Sequence, residues 1–351
     1  MPVSTLTSPA PPAPAAPARP RASRRWLWVV GCAVVLAVAT ALSLMVGARA
    51  VEPSAVWSAL AAPDPGNGDH AVVLSRVPRT LAGILVGTSL GLAGAVMQGA
   101  TRNPLADPGV LGINAGAAFA VVVGIHAFGL STLPGFIWCA FTGALAASLA
   151  VYAVGSLGRG GATPVKLAIA GAALNAGLGS LLSVVLLGSS ETLERFRFWQ
   201  VGGIAGRGLD QLAAAAPFAT VGVVLALGLA RPLNGLALGD DLARGLGIRV
   251  GASRAAATGA AVLLCGTATA VAGPIGFVGL VVPHLVRHLV GGDYRWLVTT
   301  TALLGPALVL AADVVGRVVL LPGEVPAGIM TALVGAPVFV ALVRARKGTR
   351  L

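Results

Sequence analysis

The chain has 351 residues, 56% of them hydrophobic and only 10% charged, with a formal net charge of +12. Its mean hydropathy is +0.88, and its apolar residues come in long blocks rather than short periodic stripes. That excludes a soluble globular domain and points to an all-α, multi-spanning membrane protein. Cys32, Cys139 and Cys265 each lie inside an apolar block, with no second cysteine or histidine at ligand spacing, so they read as small packing residues.

Residues 1–25, MPVSTLTSPAPPAPAAPARPRASRR, form a Pro/Ala-rich tail with too little apolar surface to order itself. Stretches free of Lys, Arg, Asp and Glu then run over 26–48, 80–101, 108–158, 167–190, 211–230, 255–286, 296–312 and 325–343. A helix needs roughly 20 apolar residues to cross a bilayer core. The first run is therefore long enough to span, which separates it from a cleavable signal peptide. The third is too long for one helix and turns at Leu130-Ser-Thr-Leu-Pro-Gly135; the sixth breaks at Gly273-Pro274, where proline removes a backbone donor. Ten spans result, and the even number puts both termini on one side.

The charges choose the side. With a cytoplasmic N-terminus, the inner segments hold 17 basic residues, from Arg19 to Arg350, including Arg102, Arg159, Lys166, Arg244 and Arg287. Only Arg49, Arg76, Arg79, Arg195, Arg197, Arg207 and Arg317 fall outside. Positive residues favour the cytoplasm, so the net charge is a topology signal and does not indicate nucleic-acid binding. A short basic tail, 345–351, ends the chain.

Within the spans, ionisable residues are nearly absent: Asp313 lies near the end of the ninth and His126 near the end of the third. Ion-coupled carriers place carboxylates there, so a secondary transporter working alone is disfavoured. No G-x-x-x-x-G-K-[ST] phosphate loop occurs, and any ATP must be bound by another subunit. His284 and His288 stand four residues apart, without a third ligand or the glutamate of H-E-x-x-H, and read as a polar helix end. Gly83, Gly87 and Gly91 recur along the second span, and Gly171, Ala172, Ala173, Gly177 and Ser180 crowd the fifth. Small residues of this kind let membrane helices approach closely. Ser180 has no histidine at matching depth and reads as part of that packing face.

Four stretches carry a resemblance. They are RVPRTLAGILVGTSLGLAGAVMQGATRNPLADPGVLGINAGAAF (76–119), LNGLALGDDLARGLGI (233–248), GPIGFVGLVVPHLVR (273–287) and ADVVGRVVLLPGEVPAGIMTALVGAPVFVALV (312–343). In order and spacing they resemble the FecCD-type permeases, membrane subunits of bacterial ABC importers for iron-siderophore complexes, haem and vitamin B12. The likeness runs from about residue 26 to the C-terminus, so residues 26–344 read as one permease domain in the bacterial plasma membrane.

The resemblance implies a fold of ten helices, with spans 2–5 and 7–10 related as an inverted repeat. It implies a non-catalytic subunit without cofactor or metal. Its partners would be a second permease, the same chain or a paralogue, two cytoplasmic ATPases, and a periplasmic or lipid-anchored binding protein. Arg76, Arg79 and Arg317 match arginines that pair with glutamates of the binding protein, a role suited to the rigid guanidinium fork. Leu238, Gly239, Asp240, Asp241, Leu242, Ala243, Arg244, Leu246 and Gly247 match the coupling helix that rests in the ATPase; acids at its start and a base one turn later suit a short capped helix. Asn103, Pro104 and Leu105 match part of the inner gate, since Asn103-Pro104 and Asp107-Pro108 turn the chain away from helix, and Asn175 is placed along the pathway. Ferric siderophore is the expected cargo, with vitamin B12 or haem as alternatives.

Overall fold

The computed structural model describes residues 22–157 and 163–347. Residues 1–21 of the N-terminal tail, Arg159 and the last four residues of the basic tail lie outside them. Among the described residues the structure is helical, with no strand. The elements are α1 (Ala22–Met45), α2 (Pro53–Ala61), α3 (Gly68–Thr101), α4 (Ile113–Phe128), α5 (Leu133–Ser156), α6 (Pro164–Gly188), α7 (Ser190–Gln200), α8 (Leu209–Gly228), α9 (Ala230–Leu236), α10 (Asp240–Gly245), α11 (Val250–Ala272), α12 (Val278–Val290), α13 (Tyr294–Val319) and α14 (Ala327–Lys347). A single 3-10 turn, Pro108–Leu111, precedes α4.

Seven helices, α1, α3, α5, α6, α8, α11 and α13, are long and apolar enough to cross a membrane, and α4, α12 and the apolar part of α14 are shorter. The turn at 130–135 falls between α4 and α5, and the Gly273-Pro274 break separates α11 from α12. Gly273, at φ 74°, leaves the helix in a left-handed conformation, and Phe277 enters α12 at φ 67° with its ring against Gly335 of α14.

α3 is the axis around which the rest assembles: it packs on α13, α11, α12, α8 and α1. Its 34 residues span about 51 Å at 1.5 Å per residue, well beyond the roughly 30 Å of a hydrocarbon core. Asn67 caps its start by accepting from the Asp69 amide at 2.9 Å. The helix thus begins 12 residues before its charge-free run, and Arg76 and Arg79 sit inside it. Charge-free runs mark the apolar core of a helix, not its ends, because arginines at the interface stay helical while their heads find polar partners.

The α3–α13 seam is made by backbone contact. A Cβ on Gly87 would lie 2.4 Å from Pro306 Cα, and one on Gly305 2.3 Å from the Gly87 carbonyl oxygen. Farther along, a Cβ on Gly94 would collide with the Gly279 carbonyl on α12, closer than any real contact allows. Gly116 and Gly143 join α4 to α5 in the same way: a Cβ added to either would collide with the other's carbonyl oxygen. Such approaches supply the dispersion contacts that hold helices together in lipid.

α6 is different. Val165, Ile169, Leu181, Val184 and Leu187 stand exposed along it, and Gly177 and Gly179 meet nothing within 4 Å. Apart from the buried Gly171, the second small-residue stripe is therefore bare among the described residues.

Candidate functional site

Three groups of the predicted residues occupy the two ends of the bundle and the bare face. At one end, α1 finishes without a basic residue in its last turn, leaving carbonyls that its own sequence does not cap. Arginines from other helices cap it: Arg317 Nη1 donates to Ser43 O at 2.7 Å and to Val46 O at 3.2 Å, and Arg76 Nη1 donates to Leu44 O at 2.8 Å. The cations also oppose the negative end of the helix dipole.

Asp313, 1% exposed, joins Arg317 to the third arginine, Arg79. Arg317, one turn later on α13, binds it through Nε at 2.9 Å and also through Nη2. Arg79 of α3 binds it in a fork, Nη2 to Oδ1 at 2.8 Å and Nε to Oδ2 at 3.0 Å. Arg79 Nη1 further donates to Glu324 in the loop before α14, at 2.7 Å. Ser43 and Thr80 complete the group, with their hydroxyls 2.8 Å apart. The structure thus places Arg76, Arg79 and Arg317 at the same end of the bundle, but spends donors of each inside the chain: Arg317 is 2% and Arg76 9% exposed. A buried guanidinium needs such partners because an isolated charge there is prohibitively costly.

Sequence reading missed the carboxylates. The i, i+4 spacing of Asp313 and Arg317 was a usable signal; nothing local pointed from Arg79 to a residue 234 positions away. Beside this group opens a cavity of about 330 Å³ lined by Arg79, Arg195, Arg207, Phe198, Trp199 and Glu324, among others. Burial pushes the Arg207 guanidinium down to about 10, and it stays charged at neutral pH.

At the opposite end, Arg102 to Gly112 forms a compact turn. Arg102 caps α3 in the left-handed region, at φ 51°, and pairs with Asp240. The Asn103 side chain accepts from the Leu105 amide at 3.0 Å, and the Asp107 side chain accepts from Gly109 N at 2.7 Å, initiating the 3-10 turn. Burial raises the Asp107 carboxyl, against the lowering effect of that amide. The two Asx turns hold Pro104 between them and present Leu105, 40% exposed.

The predicted coupling segment is helical over Asp240–Gly245, bounded by Gly239 at φ 108° and Gly247 at φ 78°. Ala243 is its buried foot, while Leu238, Leu242 and Leu246 face outward. Asp240 is shared by Arg102 and by Arg254 of α11, the latter at 2.9 Å, and Arg244 pairs with Asp241 at 2.8 Å. Arg254 is a further residue whose part in the site sequence reading missed. On the bare face, Asn175 of α6 keeps its side-chain oxygen buried without a hydrogen-bond partner.

His284 and His288 approach within 3.2 Å between their Nε2 atoms on α12. Among the described residues no three His, Cys, Asp or Glu side chains gather as a metal site.

Residues 35–345 match the FecCD transport family. The ferric enterobactin transport system permease of Escherichia coli (strain K12) is 46% identical, over 92% of this chain and 96% of that protein. The hemin transport system permease of Yersinia pestis is 38% identical, over 78% of this chain and 83% of that protein. A solved structure described as an inward-facing metal-chelate type ABC transporter superposes with a TM-score of 0.79 at 29% identity, covering 90% of this chain and 98% of its own.

Proposed function

The chain belongs to the FecCD transport family, and from that premise we propose that it is the permease subunit of an ABC importer for ferric siderophores. Relatives 46% and 40% identical are named for ferric enterobactin and siderophore transport, which supports this cargo over haem or vitamin B12. The chain lies in the plasma membrane as a multi-pass protein. Its seven long and three shorter apolar helices fit ten spans, with the termini and the α10 end cytoplasmic, as the arginine distribution favours. An inverted repeat of spans 2–5 and 7–10 makes α3 and α11 counterparts, and these two helices pack on each other at the centre.

The observation that carries the reading is α10. Leu238, Leu242 and Leu246 present an apolar, charge-flanked surface at the end of the bundle, where nothing among the described residues covers them. A subunit bearing its own energy source has no use for such a surface; a cytoplasmic ATPase does. In this reading ATP binding and hydrolysis on the partner move α10 as a lever. Asp240 ties it to Arg102 and Arg254, so its displacement reaches α3, α11 and the turn carrying Asn103, Pro104 and Leu105. That turn forms the inner gate. Asn175 and the bare face of α6 border the pathway between this subunit and a second permease.

The binding protein docks at the opposite end. Of the three arginines matched to docking, Arg79 is the one an incoming carboxylate reaches, because its partner Glu324 is exposed. Arg317 and Arg76 hold it in position from behind. A weakly polar pathway suits bulky chelates, leaving selection chiefly to the binding protein. An ion-coupled carrier is the second reading. Against it, Asp313, the carboxylate buried within a spanning helix, is held by two arginines and is not free to carry a proton or sodium.

The test is uptake in a strain lacking the gene, comparing labelled iron on a siderophore panel with labelled cobalamin. Loss of one ferric siderophore class, restored by the wild-type gene and not by Arg244→Glu, is the expected result. Selective loss of cobalamin uptake overturns the cargo, and full activity without an ATPase partner overturns the importer class.

A further inference from the structure

A cavity of about 770 Å³ opens at the end of the bundle that the charge distribution places in the cytoplasm. It opens where the C-terminal ends of α3 and α5 meet the N-terminal ends of α6 and α11. Arg244, Arg249 and Arg254 line one side, Tyr152 and Ser156 another, and Met97 and Leu167 are among the apolar wall residues. We propose that this cavity binds the phosphate-bearing headgroup of an anionic phospholipid.

Charge supports an anionic ligand. Four guanidiniums cluster here, those of Arg102, Arg244, Arg249 and Arg254, against two carboxylates, Asp240 and Asp241. Asp240 already serves two of the arginines and Asp241 a third. Arg249 makes no ion pair among the described residues and is exposed. An uncommitted guanidinium on a cavity wall, with neighbours only partly neutralised, is suited to a phosphate, whose oxygens match the planar donor fork.

Position favours a lipid as the source. The cavity lies at the level where four helices end, which is the level of headgroups for any helix crossing a bilayer. Directly beside it, the outer faces of α5 and α6 expose Leu149, Val154, Leu157, Val165 and Ile169, a surface for acyl chains. Basic pockets between spanning helices at the cytoplasmic surface are where anionic headgroups bind. A free phosphate would use the arginines but leave the adjoining apolar faces without purpose. The inference requires only that the bundle spans the membrane, and it stands whichever chelate is carried. Arg244 links the cavity to α10, so a bound headgroup would sit against the lever proposed above.

The experiment is native mass spectrometry of the assembled transporter, full-length chain included, after equilibration with defined mixtures of phosphatidylcholine, phosphatidylglycerol and cardiolipin. The wild type is expected to retain the anionic lipids in preference to phosphatidylcholine. Arg249→Ala should lower that retention about fivefold, the factor that one basic residue supplies near an anionic surface. Arg249→Lys should restore much of it, and Arg231→Ala, at the same end but outside the cavity, should leave it unchanged. Equal retention of neutral and anionic lipid, or retention indifferent to Arg249→Ala, overturns the site. Inorganic phosphate at millimolar concentration that stabilises the wild type but not Arg249→Ala, with no lipid retained, keeps an anion site and overturns lipid as its occupant. Siderophore uptake is read separately, so loss of lipid binding with intact cargo specificity is distinguishable from a wrong transport assignment.

Discussion

On α3, glycines 83, 87, 91 and 94 are each met by atoms of α13 or α12, whereas on α6 Gly177 and Gly179 meet nothing within 4 Å. The two stripes look alike in sequence, and small-residue spacing allows close approach in both. What differs is the partner. The α3 stripe is complementary to a second set of small residues in the same chain, Gly279 and Gly305 with Pro306 and Thr301. The α6 stripe has no such set, and around it stand exposed Val184 and Leu187. One stripe therefore builds the subunit, and the other is available for what lies outside it.

The strongest way to break this contrast is on α3. A Cβ at residue 94 collides with the backbone of Gly279, and backbone cannot swing aside as a side chain can. Overpacking typically costs about 1–3 kcal/mol, and more where relaxation is blocked. Gly94→Val is expected to exceed that range, and the membrane should contain little or no extractable, monodisperse protein. Normal accumulation and transport by this variant would mean that α3 and α12 are not in backbone contact.

Next in size is the ion cluster that pins the far end of the same seam. Asp313→Asn leaves Arg79 and Arg317 facing each other without their shared carboxylate. Removing one partner of a buried ion pair costs about 3–5 kcal/mol. The matching change at the opposite end, Asp240→Asn, removes a carboxylate that also serves two arginines but is only partly covered, 26% exposed at its side chain. Exposed pairs contribute about 0.2–1 kcal/mol. Thermal unfolding in nanodiscs should rank Asp313→Asn far below Asp240→Asn, while ATPase coupling should be impaired by the latter. Equal melting behaviour would show that depth does not separate the two clusters.

A gentler change on the α3 stripe sharpens the point. At Gly83 an added Cβ meets Leu310 Cδ2 at 2.5 Å, the end of a flexible side chain. Gly83→Ala should cost about 1 kcal/mol, at the low end for overpacking, and should fold and transport with a modest fall in thermal stability. A loss as severe as that of Gly94→Val would place a backbone, not a rotamer, opposite residue 83.

Much of the architecture was readable before any coordinates. Charge-free runs found the apolar helices, Gly273-Pro274 marked the α11–α12 break, and glycine spacing identified the α3 seam. The short helices α2, α7 and α9 were missed because they carry no spanning block, and the start of α3 because Arg76 and Arg79 lie within it. The partners of the arginines were hidden for a different reason. Asp313 and Glu324 are brought to Arg79 by tertiary packing across more than 200 residues, and no local pattern encodes that meeting.

The smallest expected effect on folding tests the other stripe. Gly177 lies in a helix with open space where its side chain would be, so Gly177→Ala should be neutral or stabilise the helix by up to about 1 kcal/mol through propensity alone. Gly177→Leu should likewise leave the subunit folded, since no atom of the described residues lies within 4 Å of where its Cβ would sit. If the α6 face meets a second permease or borders the pathway, however, Leu at this position fills space that the neighbour or the cargo requires. Uptake should then fall strongly while the melting temperature of the isolated subunit holds. Unchanged uptake by Gly177→Leu would mean that the face meets lipid only, and the pathway would have to be sought along another helix. Folding and transport thus separate on α6, where on α3 Gly94→Val is expected to remove both together.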